Sequence, residues 1–189
     1  MEADWEFEVG PDAAGLAAPV IDGAWAGFVD LRREPARALD LPEAGLLPGL
    51  AEALIKLNAA ASPVWTSKCD VWPSLEDGEF DPDEMDAPVS SSAHVMGCYI
   101  DLLPRGDRQW TSPEQVADAC RQVCSLLRSI PLGCCRADLV IRRALIASNA
   151  ECLGATAYLT SCGESPADAA RTLQKSLATL ADAFGATQR

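Results

Sequence analysis

Apolar positions along the chain switch between two rhythms, and the switches mark out its elements. Val20, Ile21, Trp25, Phe28, Val29 and Leu31 predict a first strand over Val20–Arg33, bent at Gly23 and Gly27. Pro35–Gly45 is a connector. Leu47, Leu50, Ala51 and Leu54 recur at helical spacing and predict a helix over Leu47–Asn58. Val64–Trp72 reads as a strand in which Trp65, Ser67, Cys69 and Val71 share one face and Val64, Thr66, Lys68, Asp70 and Trp72 the other. Ala93–Leu103 is a further strand, with His94, Met96, Cys98, Ile100 and Leu102 turned to the core.

The second half repeats the scheme. Ser112-Pro113-Glu114-Gln115 opens a helix, with Ser112 as cap and Gln115 closing a capping box. Its apolar stripe is Val116, Ala119, Cys120, Val123, Leu127 and Ile130, and Pro131 stops it. Cys135–Ala147 and Cys152–Cys162 form a hairpin about a turn at Asn149-Ala150. Ser165-Pro166 caps a last helix with the stripe Ala170, Leu173, Leu177, Leu180 and Phe184, ending at Gly185.

The predicted order is β-α-β-β-α-β-β-α. This is an α+β fold with a largely antiparallel sheet of about five strands and three helices mainly on one face. Its first six elements match the ferredoxin-like plan. From the first helix onward the order α-β-β-α-β-β-α, with the low pI near 4.4 and the final helix Ser165–Phe184, resembles the type III secretion chaperones. That resemblance implies a small acidic cytoplasmic dimer that binds other proteins.

Residues 1–19 are expected to be an irregular acidic segment, with a strand at Trp5–Val9, and 20–189 a single domain. A long acidic loop, 73–92, interrupts it. At this length such a loop is functional or disordered more often than not.

Charge narrows the function. Acidic residues number 28 against 15 basic ones. Glu2, Asp4, Glu6, Glu8 and Asp12, with Glu76, Asp77, Glu79, Asp81, Asp83, Glu84 and Asp86, account for almost the whole excess. No basic patch is available for nucleic acid or an anionic membrane. A basic protein partner, or a metal cation, fits the two acidic stretches better, the plainer account being that they are solvated and keep the protein soluble, and a homodimer is a further candidate. No secretory leader or membrane span is expected at the start of the sequence or within it, so the expected compartment is the cytoplasm, with reduced thiols.

No phosphate-binding glycine loop, dinucleotide fingerprint or nucleophile elbow is present, and no cofactor is expected. The candidate catalytic residues are the single histidine, His94, with Cys69, Cys98 or Cys162. Cys98 lies about 13 Å along the strand from His94, too far for a direct pair, so Cys69 of a neighbouring strand is the closer option. Cys162 precedes a helix start, where thiol pKa falls. Cys120, Cys124, Cys134 and Cys135 are the candidate zinc ligands. The plainer account makes all these thiols packing material.

The alternating acids from Asp77 fail as a calcium loop, with Pro82 and Pro88 at its sixth and twelfth positions. Candidate binding residues are Phe80 and Met85, which can anchor the acidic loop to its own domain or to a partner, Trp65 and Trp72 beside it, whose plainer role is core packing, and Arg136, Asp138, Arg142 and Tyr158. The last four should share the polar face of a sheet covered on one side. A small acidic binding or adaptor protein, chaperone-like, is expected. The alternatives are a thiol-dependent enzyme using His94 and a cysteine-ligated zinc protein.

Overall fold

The computed structural model describes residues 1–8, 20–21, 28–73, 81, 83–88, 94–105, 110, 112–146 and 150–187. Its strands are β1 (Glu2–Glu8), β2 (Val20–Ile21), β3 (Val64–Trp72), β4 (His94–Pro104), β5 (Cys135–Ile146) and β6 (Ala150–Gly163). Its α-helices are α1 (Pro42–Leu46), α2 (Leu50–Leu57), α3 (Pro113–Arg128) and α4 (Pro166–Ala186), with 3-10 turns at Pro35–Asp40 and Asp83–Met85. The fold is α+β, as the hydrophobic pattern predicts. From α2 onward the elements follow the expected order α-β-β-α-β-β-α.

The sheet runs β1-β5-β6-β4-β3, and β2 continues the β1 edge along β5. Pairings among β3, β4, β5 and β6 are antiparallel, while β1 and β2 run parallel to β5. This differs from the ferredoxin-like plan, because β6 takes the central place between β5 and β4. The β5–β6 hairpin inserts as a unit, and the N-terminal strand is left to pair on its outer edge.

Strand alternation separates two faces. Cys135, Ala137, Leu139 and Ile141 of β5, Ala155, Ala157 and Leu159 of β6, and Met96, Cys98, Ile100 and Leu102 of β4 are buried in one core. α3 packs on β1, β5 and β6, and α4 on β4, β5 and β6, while α2 bridges β3 and α4. Those helices bury Val116, Cys120, Val123 and Leu127 of α3 and Leu173, Leu177, Leu180 and Phe184 of α4. Both predicted caps are present. Ser112 and Gln115 close a capping box, and Ser165 Oγ accepts from the Asp168 N–H at 3.2 Å.

Several boundaries differ from the sequence pattern. The N-terminal segment is not irregular throughout, since Glu2–Glu8 is a regular strand of the sheet. Of the segment expected as a strand over Val20–Arg33, Val20–Ile21 is a strand and 28–33 is not, among the described residues; Gly23, Trp25 and Gly27 lie outside them. The helix expected from Leu47 starts at Leu50, after Gly49 in the left-handed region at φ 91°. The connector before it contains α1. Helix α4 runs through Gly185 to Ala186. The Asn149 turn and most of the 73–92 loop are outside the described residues. Among the described residues no helix is long and apolar enough to cross a membrane.

In β3 a bulge between Thr66 and Cys69 reverses the facing. Val64 and Thr66 lie opposite Pro104 and Leu102, and Cys69 and Val71 opposite Ile100 and Cys98, so both pairs face the core. Trp65 therefore faces away from Cys69 and Val71, contrary to simple alternation. One extra residue in a strand shifts every later side chain to the other face.

At the end of β6 the backbone passes close under the start of α4. A Cβ on Gly163 would sit 2.6 Å from Ala169 N and 2.7 Å from Asp168 Cβ. Gly163→Ala is expected to lower stability by about 1–3 kcal/mol, the usual cost of overpacking. Urea denaturation checks this, with Gly185→Ala as a control, because nothing lies within 4 Å of that position.

Candidate functional site

The sheet face turned away from α3 and α4 carries polar residues across its middle. Adjacent strands bring Asp4, Asp138, Tyr158, Tyr99 and Asp70 into one row, and Glu6, Val140, Thr156 and Asp101 into the next. Small apolar clusters close both ends. At one end Trp65, Leu103 and Ala144 pack with Phe28 and Cys152; at the other Met85, Val95 and Cys162 pack with Ala87 and Cys134.

Between these ends lies an open hollow of about 400 Å³, lined by Asp4, Glu6, Glu8, Glu84, Arg136, Asp138, Arg142 and Tyr158, with Trp5 and Val140. Both guanidinium groups in it are engaged. Arg136 Nε donates to Asp138 at 2.9 Å, and Nη1 lies 3.1 Å from Glu84. Arg142 Nε donates to Glu8 at 2.6 Å, and Nη1 donates to the Tyr158 hydroxyl at 2.8 Å. Five carboxylates line the hollow against these two cations, with Arg128 of α3 reaching Asp4 from its rim at 3.3 Å, and Glu6 is exposed with no ion-pair partner among the described residues.

Trp72, Tyr99 and Tyr158 form an aromatic platform beside the hollow. Trp72 and Tyr158 are nearly parallel, with centroids 6.5 Å apart, and Tyr99 lies 5.6 Å from Trp72. Burial, with Asp101 and Asp70 nearby, pushes the Tyr99 hydroxyl up to about 12, so it stays protonated at neutral pH.

Asp101 is buried and accepts from Thr156 Oγ1 at 2.6 Å. Burial raises its pKa; the Thr156 hydrogen bond, Lys68 and Arg142 oppose the rise. A carboxyl raised in the folded state favours folding most when protonated, and that advantage is lost as pH rises through its folded pKa. Asp101→Asn is therefore expected to raise the urea midpoint at neutral pH. The gain should fade below the ordinary aspartate range, near about pH 4. A lower midpoint for the variant at pH 7 would contradict this.

Compared with known protein families, curated proteins and solved structures, the chain matches none. Its site thus rests on its own geometry.

That geometry gathers Arg136, Asp138, Arg142 and Tyr158 as expected from strand alternation, with Trp72 beside them. Trp65 is not available for binding. It is buried, its indole N–H donates to Pro104 O at 3.0 Å, and the Arg32 guanidinium covers its ring at 3.9 Å. Met85 is buried as well and anchors the acidic turn to its own domain. Phe80 lies outside the described residues. Sequence reasoning missed Tyr99, Thr156 and Asp101, and it did not place Asp4, Glu6 and Glu8 on this face.

No thiol is among the residues lining the hollow. Cys98, Cys120, Cys124 and Cys135 are fully buried. Burial raises Cys69 and Cys120 to about 12 and Cys124 and Cys162 to about 11, and it raises Cys98, Cys135 and Cys152 too. Such thiols carry little nucleophilic thiolate near neutral pH. His94 is exposed at the start of β4 opposite Gly163, whereas Cys98 faces the helices and Cys69 lies opposite Ile100. Cys124 Sγ donates to Asp4 O and Cys135 Sγ to Leu132 O, so these two thiols point to different backbone acceptors. The described residues contain no group of three or more His, Cys, Asp or Glu side chains able to hold a metal.

Proposed function

We propose that this chain is a binding protein that holds a basic polypeptide segment against the open face of its sheet. The observation that carries this is the hollow whose five carboxylates outnumber its two lining guanidiniums and Arg128 at its rim, all three already partnered, next to an aromatic platform. Lys and Arg side chains suit both features. They pair with carboxylates, and they rest on aromatic faces with a gain of about 0.5–1 kcal/mol at exposed sites. Two cations of an extended segment could meet Glu6 and the Glu8–Asp4 edge while a third lies over Trp72.

A second copy of the chain does not suit the same face, since two net acidic surfaces repel. If the protein is a homodimer, it pairs elsewhere. A thiol enzyme draws no support from cysteines whose pKa values are raised by burial.

Calorimetric titration with a Lys- and Arg-rich peptide tests the proposal. The expected result is saturable one-site binding that weakens as salt is added, because exposed charge pairs are screened. An acidic peptide of equal length should not bind. Equal affinity for both peptides would remove the basis of the proposal.

A further inference from the structure

Two cysteines meet at the end of the open face. The β5–β6 register sets Cys135 opposite Ser161, so the next pair outward is Cys134 and Cys162. The Cys162 N–H donates to Cys134 O at 2.9 Å, and Cys162 Sγ lies 3.8 Å from the same oxygen. Antiparallel partners that exchange both backbone bonds have Cα atoms about 5.5 Å apart, and this pair, just beyond the start of β5, makes one of the two. A disulfide needs about 4.4–6.8 Å. Both side chains pack in the Met85–Val95 cluster.

The backbone at this point is also unusual. Among the described residues, Cys134 at φ 59° and Asp86 at φ 50° are the non-glycine residues in the left-handed region. The two segments are joined, since the Cys134 N–H donates to Met85 O at 3.1 Å. The acidic turn, whose Glu84 pairs with Arg136, therefore sits directly on the cysteine pair.

We propose that Cys134 and Cys162 are a reversible disulfide site that fastens the start of β5 to the end of β6 beneath the acidic turn. The oxidant is a low-molecular-weight disulfide. Cys134 is half-exposed, so it is reached first. Its thiolate attacks one sulfur of the small disulfide, the S–S bond breaks, and one small thiolate leaves and takes up a proton. Buried Cys162 then loses its proton and attacks Cys134 Sγ, expelling the second small thiol. Two protein thiols are oxidised to one disulfide, and one small disulfide is reduced to two thiols. Because burial holds Cys162 near 11, ring closure should speed up about tenfold per pH unit through the neutral range.

The full chain is incubated with glutathione disulfide, unfolded in urea with N-ethylmaleimide present and mapped by mass spectrometry. The expected product has lost two hydrogens, contains one linked Cys134–Cys162 peptide and alkylates at the six remaining cysteines of eight. Dithiothreitol should restore all eight. Cys162→Ser should stop at a mixed disulfide on Cys134. Cys134→Ala, at a half-exposed position, should give no linked peptide. A persistent mixed disulfide in the unaltered chain, a link between any other pair, or no reaction would each overturn the proposal.

Discussion

Asn58→Ala is expected to destabilise the protein by about 2–4 kcal/mol. Asn58 is fully buried at the C-terminus of α2. Its side-chain amide donates to Leu54 O at 2.9 Å and to Thr66 Oγ1 at 2.6 Å, and its Oδ1 accepts from the Thr66 N–H at 3.1 Å. Among the described residues β3 is the edge of the sheet, so this side chain satisfies a backbone donor that no other described strand reaches. Alanine would leave the buried Thr66 N–H without a partner and weaken two further groups. Each orphaned buried group costs about 1–3 kcal/mol. Arg105 Nη2, which donates to Asn58 O at 2.7 Å, ties the same corner through the backbone and would survive the change. Urea denaturation gives the number, and a loss below about 1 kcal/mol would mean that water replaces the amide.

Arg142→Met should cost about 1–3 kcal/mol while keeping the aliphatic stem over the sheet. The variant loses the bonds to Glu8 and Tyr158 and a weaker one to Thr156 at 3.4 Å. Exposure moderates the cost, since Glu8 and the Tyr158 hydroxyl can turn to water. Asp101 loses a neighbour that opposes its raised pKa, so its pKa should move further up. The consequence for binding is the more telling one. Removing a cation makes the hollow more acidic, and a basic ligand should bind the variant more tightly. Loss of binding would indicate that Arg142 itself recognises an anion.

How much of this could be read from the chain depended on contact range. The β4, β5 and β6 patterns alternate without interruption, so their core faces and the grouping of Arg136, Asp138, Arg142 and Tyr158 followed from period two alone. The helix caps are local and were equally legible. The acidic wall of the hollow was not. Glu2 pairs with Arg136 across most of the chain, and no local pattern shows that β1 lies parallel to β5 rather than outside the sheet. The bulge after Thr66 defeated alternation in β3 and misplaced Trp65. Met85, an apolar residue among acids, could anchor the loop to its own domain or to a partner, and the tertiary structure packs it against Val95 and Cys162 of its own domain.

The binding account stands or falls on the sign of a charge effect. Titration of one Lys- and Arg-rich peptide into the parent chain, Asp4→Asn/Glu6→Gln and Arg136→Met should give opposite shifts. Affinity is expected to fall about twofold to thirtyfold for the acidic pair and to rise for the arginine variant, given about 0.2–1 kcal/mol for each exposed charge. If all three proteins bind the peptide equally, or if the shifts are reversed, the open face of the sheet is not where a basic partner docks.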